Sequence, residues 1–201
     1  MNEDFLGEIE EFYEKPIVGK KLPNFELEVF HKESTKKIKF SDYVGKWIVL
    51  VFYPADFTFI CPTELAAIGE LYPEFQKVGA EVFGVSTDTV FSHKAWHDTS
   101  EMIKKINFPM LADLTGKLCK ALRTYLSQEG LSLRATVIAD PEGIIKAMDI
   151  HDNSIGRSSD EILRKLQAAI FVRQHKTQVC PVNWHPGSKT LKPGLKLVGK
   201  L

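Results

Sequence analysis

Apolar residues along this chain alternate between two spacings, one suited to strands and one suited to helices. In Phe25-Glu26-Leu27-Glu28-Val29-Phe30 and again in Lys36-Lys37-Ile38-Lys39-Phe40 they alternate with charged residues, so 20–45 reads as a hairpin region. Trp47 to Tyr53 is continuous, apolar and β-branched, the pattern of a strand buried on both faces. The spacing then changes. Leu65, Ile68, Leu71, Tyr72, Phe75 and Val78 recur at helical intervals; Pro62 suits an early helical position and Gly79 a stop. Glu81 to Ser86 reads as a second buried strand, and Val90 to Ile106 as a helix with Phe91, Ala95, Met102, Ile103 and Ile106 on its apolar face. A short strand at Phe108–Leu111 and a short helix at Thr115–Tyr125 follow. Arg134–Ala139 and Gly143–Ile150 flank Asp140-Pro141-Glu142-Gly143, a strong turn signal, and so form a second hairpin. Ser158–Val172 reads as a helix opened by a capping box of Ser158 and Glu161. After His175 the chain becomes irregular around Pro181, Pro186, Gly187, Pro193 and Gly194, and this tail needs the body of the protein or a partner subunit to pack against. Residues 1–15 read as a short amphipathic helix or a flexible arm.

Strands alternating with helices, closed by a hairpin and a helix, predict an α/β fold with a central mixed β-sheet and helices on both faces. A length of 201 residues fits one domain or a small domain with appendages. The 26 basic and 26 acidic side chains cancel, which removes the electrostatic case for nucleic acid or an anionic membrane. The apolar run at Trp47–Tyr53 is too short to span a bilayer. Met1-Asn2-Glu3-Asp4 lacks the basic-then-apolar layout of a signal peptide, so a cytoplasmic protein is expected.

Candidate chemistry centres on the cysteines. There are three, Cys61, Cys119 and Cys180, too few and too scattered for a disulfide scaffold, with no C-x-x-C pair. Cys61 falls between the strand Trp47–Tyr53 and the helix that follows, in that helix's first turn. Unpaired N–H groups and the positive end of the helix dipole favour a thiolate there; the alternative is a small buried hydrophobe. Cys119 lies in Lys117-Leu118-Cys119-Lys120-Ala121-Leu122, where an idle thiol is expected. The six histidines have no metal-ligand spacing; His93 and His97 are four apart but lack the H-E-x-x-H pattern, so neither metal nor cofactor is expected.

The wider pattern resembles the peroxiredoxins, specifically the typical two-cysteine group that contains the alkyl hydroperoxide reductase C proteins. The resemblance runs from about Gly19 to the C-terminus through F-Y-P-x-D-F-T-F-x-C-P-T-E at 52–64, G-V-S-T-D at 84–88, L-R-A-T at 133–136, I-G-R-S at 155–158 and V-C-P-V-N-W at 179–184. It implies a thioredoxin-like fold with an N-terminal hairpin and an extended C-terminal tail, divided as extension 1–18, peroxidase domain 19–175 and tail 176–201. It also implies a thiol peroxidase acting on hydrogen peroxide and organic hydroperoxides. Cys61 would be the nucleophile, Thr58 would aim its hydroxyl at the sulfur or the peroxide, Pro54 would shield the pocket, and Arg134 would hold thiolate and substrate. Taken singly, each has another reading: Thr58 as a turn residue, Pro54 as a strand terminator and Arg134 as an exposed strand residue paired with a carboxylate, and it is the joint pattern that favours the site. Glu64 and Arg157 match further family positions and read either as supports for Arg134 or as an ordinary surface ion pair.

By the same resemblance, Cys180 resolves the Cys61 sulfenic acid from the partner subunit of a homodimer. The 180 − 61 = 119 positions between them put it in the tail. The two sulfurs are then apart in the reduced state, and the first helical turn and the tail must both loosen before a disulfide closes. A pentamer of dimers is implied, with Phe57, Phe59 and Trp96 either at the ring contact or in the core. The electron donor is a thioredoxin or a flavoprotein disulfide reductase. The chain lacks the Gly-Gly-Leu-Gly segment and the C-terminal Tyr-Phe helix of easily over-oxidised members, which implies resistance to sulfinic acid formation. Two other functions remain open on the sequence: a holdase chaperone or structural ring, which needs no Cys61 chemistry, and a protein disulfide oxidoreductase, which the missing C-x-x-C disfavours.

Overall fold

The computed structural model describes residues 16–200, so the reading of 1–15 lies outside the described residues. Strands β1 (Leu27–His31) and β2 (Ser34–Ile38) form the first hairpin. They are followed by β3 (Trp47–Phe52), α1 (Cys61–Lys77), β4 (Ala80–Ser86), α2 (Val90–Thr99), β5 (Met110–Ala112) and α3 (Lys117–Ala121). A two-residue ribbon, β6 (Tyr125–Leu126) with β7 (Leu131–Ser132), leads into β8 (Arg134–Ala139), β9 (Ile145–His151) and α4 (Ser159–Gln174). The main sheet runs β2-β1-β5-β4-β3-β8-β9. β3, β4 and β5 are parallel, while β1, β8 and β9 join antiparallel, giving the mixed sheet expected.

β3 lies at the centre and every residue in it is buried. Its side chains alternate between two cores, as the period of a strand requires. Trp47, Val49, Val51 and the following Tyr53 pack with Leu65, Ile68 and Phe75 of α1, Trp96 of α2, and Ile162 and Leu166 of α4. Ile48, Leu50 and Phe52 pack on the other face with Leu118 and Cys119 of α3, Phe40 and Ile38. Among the described residues both faces are covered, unequally: three long helices on one, one short helix and loops on the other. Removing a side chain such as Leu50 or Leu65 would cost about 2–5 kcal/mol, because these walls cannot collapse to fill the space.

Several sequence-based elements come out shorter. The helix expected over Val90–Ile106 ends at Thr99 and resumes as a 3-10 turn at Ile103–Lys105. Ser100 separates them: its backbone is extended and its hydroxyl accepts from Ile103 N at 3.4 Å, the local competition by which serine interrupts helices. Phe91, Ala95 and Met102 are exposed rather than core residues, because α2 buries the face formed by Val90, His93 and Trp96 and Met102 lies beyond its end. The helix expected over Thr115–Tyr125 keeps only Lys117–Ala121; Arg123 adopts a left-handed φ of 58° and Tyr125 pairs as a strand. Half of the capping box forms: Ser158 Oγ accepts from Glu161 N, but the Glu161 carboxylate turns to Arg164.

Candidate active site

β3 delivers the chain to the end of the sheet where β8 begins. Phe52 pairs with Ala135, so Arg134 starts β8 directly beside the point where β3 gives way to the loop 54–60. Pro54 continues the buried strand end, and α1 then starts at Cys61 with Pro62 in its first turn. The Cys61 side chain is fully buried, and Arg134 Nη1 donates to its sulfur at 3.3 Å.

One helical turn on, Glu64 lies on the same face of α1 as Cys61. Its carboxylate accepts from Arg134 Nη1 at 2.7 Å and is gripped by Arg157 through Nε (2.9 Å), Nη2 (3.0 Å) and the backbone N–H (2.7 Å). All three side chains are 3–4% exposed, which excludes the surface-ion-pair reading. Burial alone would raise the Glu64 pKa. The hydrogen bonds and charge of Arg157, with the charge of Arg134, overcome that and hold it below the ordinary carboxylate value. The two guanidiniums and one carboxylate sum to one positive charge, and a Cys61 thiolate brings the cluster to neutrality.

Thr58 is half-buried in the loop, and its hydroxyl donates to Ala55 O at 2.8 Å. The proton is committed to the turn, not aimed at the sulfur; the oxygen keeps lone pairs with which to accept. The loop is held from below by side chains that were assigned no role from the sequence, although Tyr53, Asp56 and Asp88 fall within the motif blocks at 52–64 and 84–88. Asp56 is buried, accepts from Tyr53 OH at 2.9 Å, pairs with His93 Nδ1 at 2.9 Å, and its backbone N–H donates to Asp88 at 2.9 Å. With Asp56 fixed, Phe57 takes a left-handed φ of 57°, rare for an aromatic residue, and stands 58% exposed over Trp96. Trp96 itself is a core residue, while Phe59 is 94% exposed. Asn153 lies outside every motif block and had no sequence signal. Its side-chain oxygen accepts from Arg134 N at 3.2 Å and its carbonyl from Arg134 Nε at 2.9 Å, so it steers the guanidinium from behind.

Cys61 and Cys180 are both free and are not brought together. Cys180 is partly buried against α4, its thiol donating to Ala168 O at 3.9 Å. Cys119 is fully buried, and burial with the nearby Asp113 charge pushes its thiol up to about 12, as suits an idle cysteine. Glu33, His97 and Asp98 place potential ligand atoms within 4.8 Å of one another, but Lys94 already donates to Glu33 at 2.7 Å and to Asp98 at 2.8 Å and supplies the positive charge there. Among the described residues no helix is long and apolar enough to cross a membrane.

A buried cysteine at a helix start, hydrogen-bonded by a fixed guanidinium, is equipped to act as a nucleophile whose leaving group gathers negative charge. The chain is similar to known proteins over most of its length. The AhpC/TSA family matches residues 18–148, and the C-terminal domain of 1-Cys peroxiredoxin matches 171–198, a segment that here contains Cys180. Alkyl hydroperoxide reductase C of Escherichia coli (strain K12) is 45% identical over 185 residues, covering 92% of this chain and 99% of that protein. The chloroplastic 2-Cys peroxiredoxin BAS1 of Arabidopsis thaliana is 42% identical over 186 residues, 90% of this chain and 70% of that one. Among solved structures, Enterococcus faecalis AhpC superposes with a TM-score of 0.81 at 42% identity, covering 83% of this chain and all of that one. Reduced Plasmodium vivax 2-Cys peroxiredoxin superposes at 0.87 and 33%, covering 90% and 96%.

Proposed function

The chain belongs to the AhpC/TSA family of peroxiredoxins, thiol-dependent peroxidases of thioredoxin-like fold that draw electrons from a reductant, and from that premise we propose how its own residues divide the work. Cys61 is the peroxidatic residue. Its thiolate attacks one peroxide oxygen in line with the O–O bond; an S–O bond forms, the O–O bond breaks, and the alkoxide or hydroxide leaves with a proton as alcohol or water. Arg134 is the positive group that holds both the sulfur and the charge developing on the leaving oxygen. Glu64 and Arg157 fix Arg134 in place. Thr58 offers its oxygen to the hydroxyl of an incoming peroxide, and Pro54 keeps water from the sulfur. The observation that carries this reading is the 3.3 Å contact from Arg134 to a fully buried Cys61 sulfur.

Cys180 of the partner subunit resolves the sulfenic acid. A first helical turn that buries Cys61 and a tail that packs Cys180 on α4 both have to open for this, which suits a disulfide formed only after oxidation. The assembly is a homodimer that closes into a pentamer of dimers through Phe57 and Phe59, the exposed aromatics of the active-site loop, with Trp96 supporting Phe57 from beneath. A thioredoxin or a flavoprotein disulfide reductase returns the disulfide to thiols. The functional division is extension 1–18, peroxidase domain 19–175 and resolving tail 176–201. Three free thiols suit a reducing compartment, and the cytoplasm is the proposed location.

The test is a non-reducing gel of wild type, Cys61→Ser and Cys180→Ser, each given one equivalent of hydrogen peroxide. A covalent dimer in wild type, absent from both variants, is the expected result. A covalent dimer that survives in Cys180→Ser would overturn the assignment of the resolving residue.

A further inference from the structure

The tail that carries Cys180 is a closed loop. Val179 and Leu191 exchange backbone hydrogen bonds (2.9 and 3.1 Å), and Thr190 donates to Gln178 beside them. The loop lies on one stripe of α4, formed by residues 164, 168 and 171, which share a helix face. Phe171 packs against Trp184 at 4.9 Å, burying a residue whose Nε1 has no partner among the described residues. Ala168 O receives the Cys180 thiol. Arg164 Nη1 donates to Trp184 O at 3.0 Å, and its Nε and Nη2 are held by Glu161 at 2.5 and 2.8 Å. A guanidinium anchored by a carboxylate on its own helix therefore reaches across to the loop four residues beyond the cysteine. Burial raises the Cys180 pKa, and the charge of Arg164 opposes that rise.

We propose that Arg164 is a positioning residue for the resolving step: its bond to the Trp184 carbonyl clamps the Cys180 loop onto α4 and sets how often the loop opens to deliver the thiol to Cys61. This rests on Cys180 being the resolving residue. In that step the Cys180 sulfur attacks the sulfenic sulfur of Cys61, an S–S bond forms, the S–O bond breaks, and hydroxide leaves with the thiol proton as water. Cys61 is fully buried and the Cys180 thiol is engaged on α4, so opening precedes the bond. A hydrogen bond from a charged donor shifts such an equilibrium by about tenfold or more. The unpaired Trp184 Nε1 acts in the opposite sense, since release returns it to solvent.

The test uses the full-length reduced enzyme, with Arg164→Met, Arg164→Lys and Glu161→Gln. Hydrogen exchange of the backbone amides in 178–191 reads opening without reference to cysteine chemistry. Quenched-flow mass spectrometry after one equivalent of hydrogen peroxide separates formation of the Cys61 sulfenic acid from disulfide closure. In Arg164→Met, exchange in 178–191 is expected to rise about tenfold, disulfide closure to accelerate by a similar factor, and sulfenic acid formation to keep its wild-type rate. Glu161→Gln moves both in the same direction by less, and Arg164→Lys returns part of the protection. Unchanged exchange in Arg164→Met would overturn the clamp, as would faster exchange with unchanged or slower closure. If exchange rises but wild type and Cys180→Ser form the same disulfides, the clamp stands and the assignment of Cys180 falls.

Discussion

Glu64→Gln is the most informative single perturbation of the buried cluster. The substitution keeps shape and removes one charge, taking from the buried Arg134 and Arg157 the carboxylate they share. It also breaks the donor count. Four N–H groups point at the carboxylate, two at each oxygen. An amide oxygen can accept one such pair, but the amide nitrogen then faces the other pair donor to donor. Arg157 supplies three of the four bonds and keeps the oxygen, so Arg134 is the partner displaced. Breaking a buried ion pair from one side costs about 3–5 kcal/mol, or roughly 6–20 °C in Tm for a chain of this size. Urea titration followed by tryptophan fluorescence measures the first, and a thermal scan the second. The loss depends on pH in a defined direction. The folded pKa of Glu64 lies below its unfolded value, so its stabilisation is complete above the ordinary glutamate pKa of about 4.3 and disappears as pH falls through the folded value. The gap between wild type and Glu64→Gln is expected to be full near pH 7 and to close only as pH falls below the ordinary glutamate value of about 4.3. A gap below about 1 kcal/mol at neutral pH, or one that widens on acidification, would refute the reasoning.

Arg134→Lys should slow sulfenic acid formation about a hundredfold in stopped flow, because one ammonium cannot serve Cys61, Glu64 and Asn153 together. Asn153→Ala removes the side-chain bond to the Arg134 backbone but not the carbonyl bond to Nε, so a smaller loss of about threefold to tenfold is expected in the same assay. Cys119 should resist alkylation in the native enzyme at about pH 7.5 and react on unfolding; tandem mass spectrometry of the labelled peptides reads both. Repeated turnover in excess peroxide should leave Cys61 largely free of sulfinic acid in intact-mass spectra, and extensive dioxidation at low doses would contradict the expectation drawn from the missing Gly-Gly-Leu-Gly segment.

What could be read from the sequence was whatever a single segment determines. β3 announces itself because seven successive apolar residues have only the interior to go to, and Cys61 is tied to a helix start by the strand before it and Pro62 after it. The positions of Arg134, Glu64 and Arg157 followed from motif blocks, but not their burial, which depends on three distant segments meeting. Helix lengths were overestimated where a residue with its own hydrogen-bonding choice intervened, as at Ser100 and Arg123. Asp56 and His93 were unreadable as a pair because 37 positions separate them and a buried carboxylate has no local signature. Asn153 and Arg164 act through backbone carbonyls or N–H groups, contacts that leave no trace in residue spacing. Thr58 shows the converse: its place in the motif was evident, but the direction of its proton was set by the fold of its own turn.

The central claim is that one buried sulfur, Cys61, receives the peroxide oxygen. The most direct measurement is a site map of trapped sulfenic acid in reduced Cys180→Ser, given one equivalent of hydrogen peroxide with a cyclic diketone present and digested for mass spectrometry. The account predicts one adduct per chain, on Cys61, with a matching loss of peroxide. An adduct on Cys119, or peroxide consumed equally by Cys61→Ser, would contradict it.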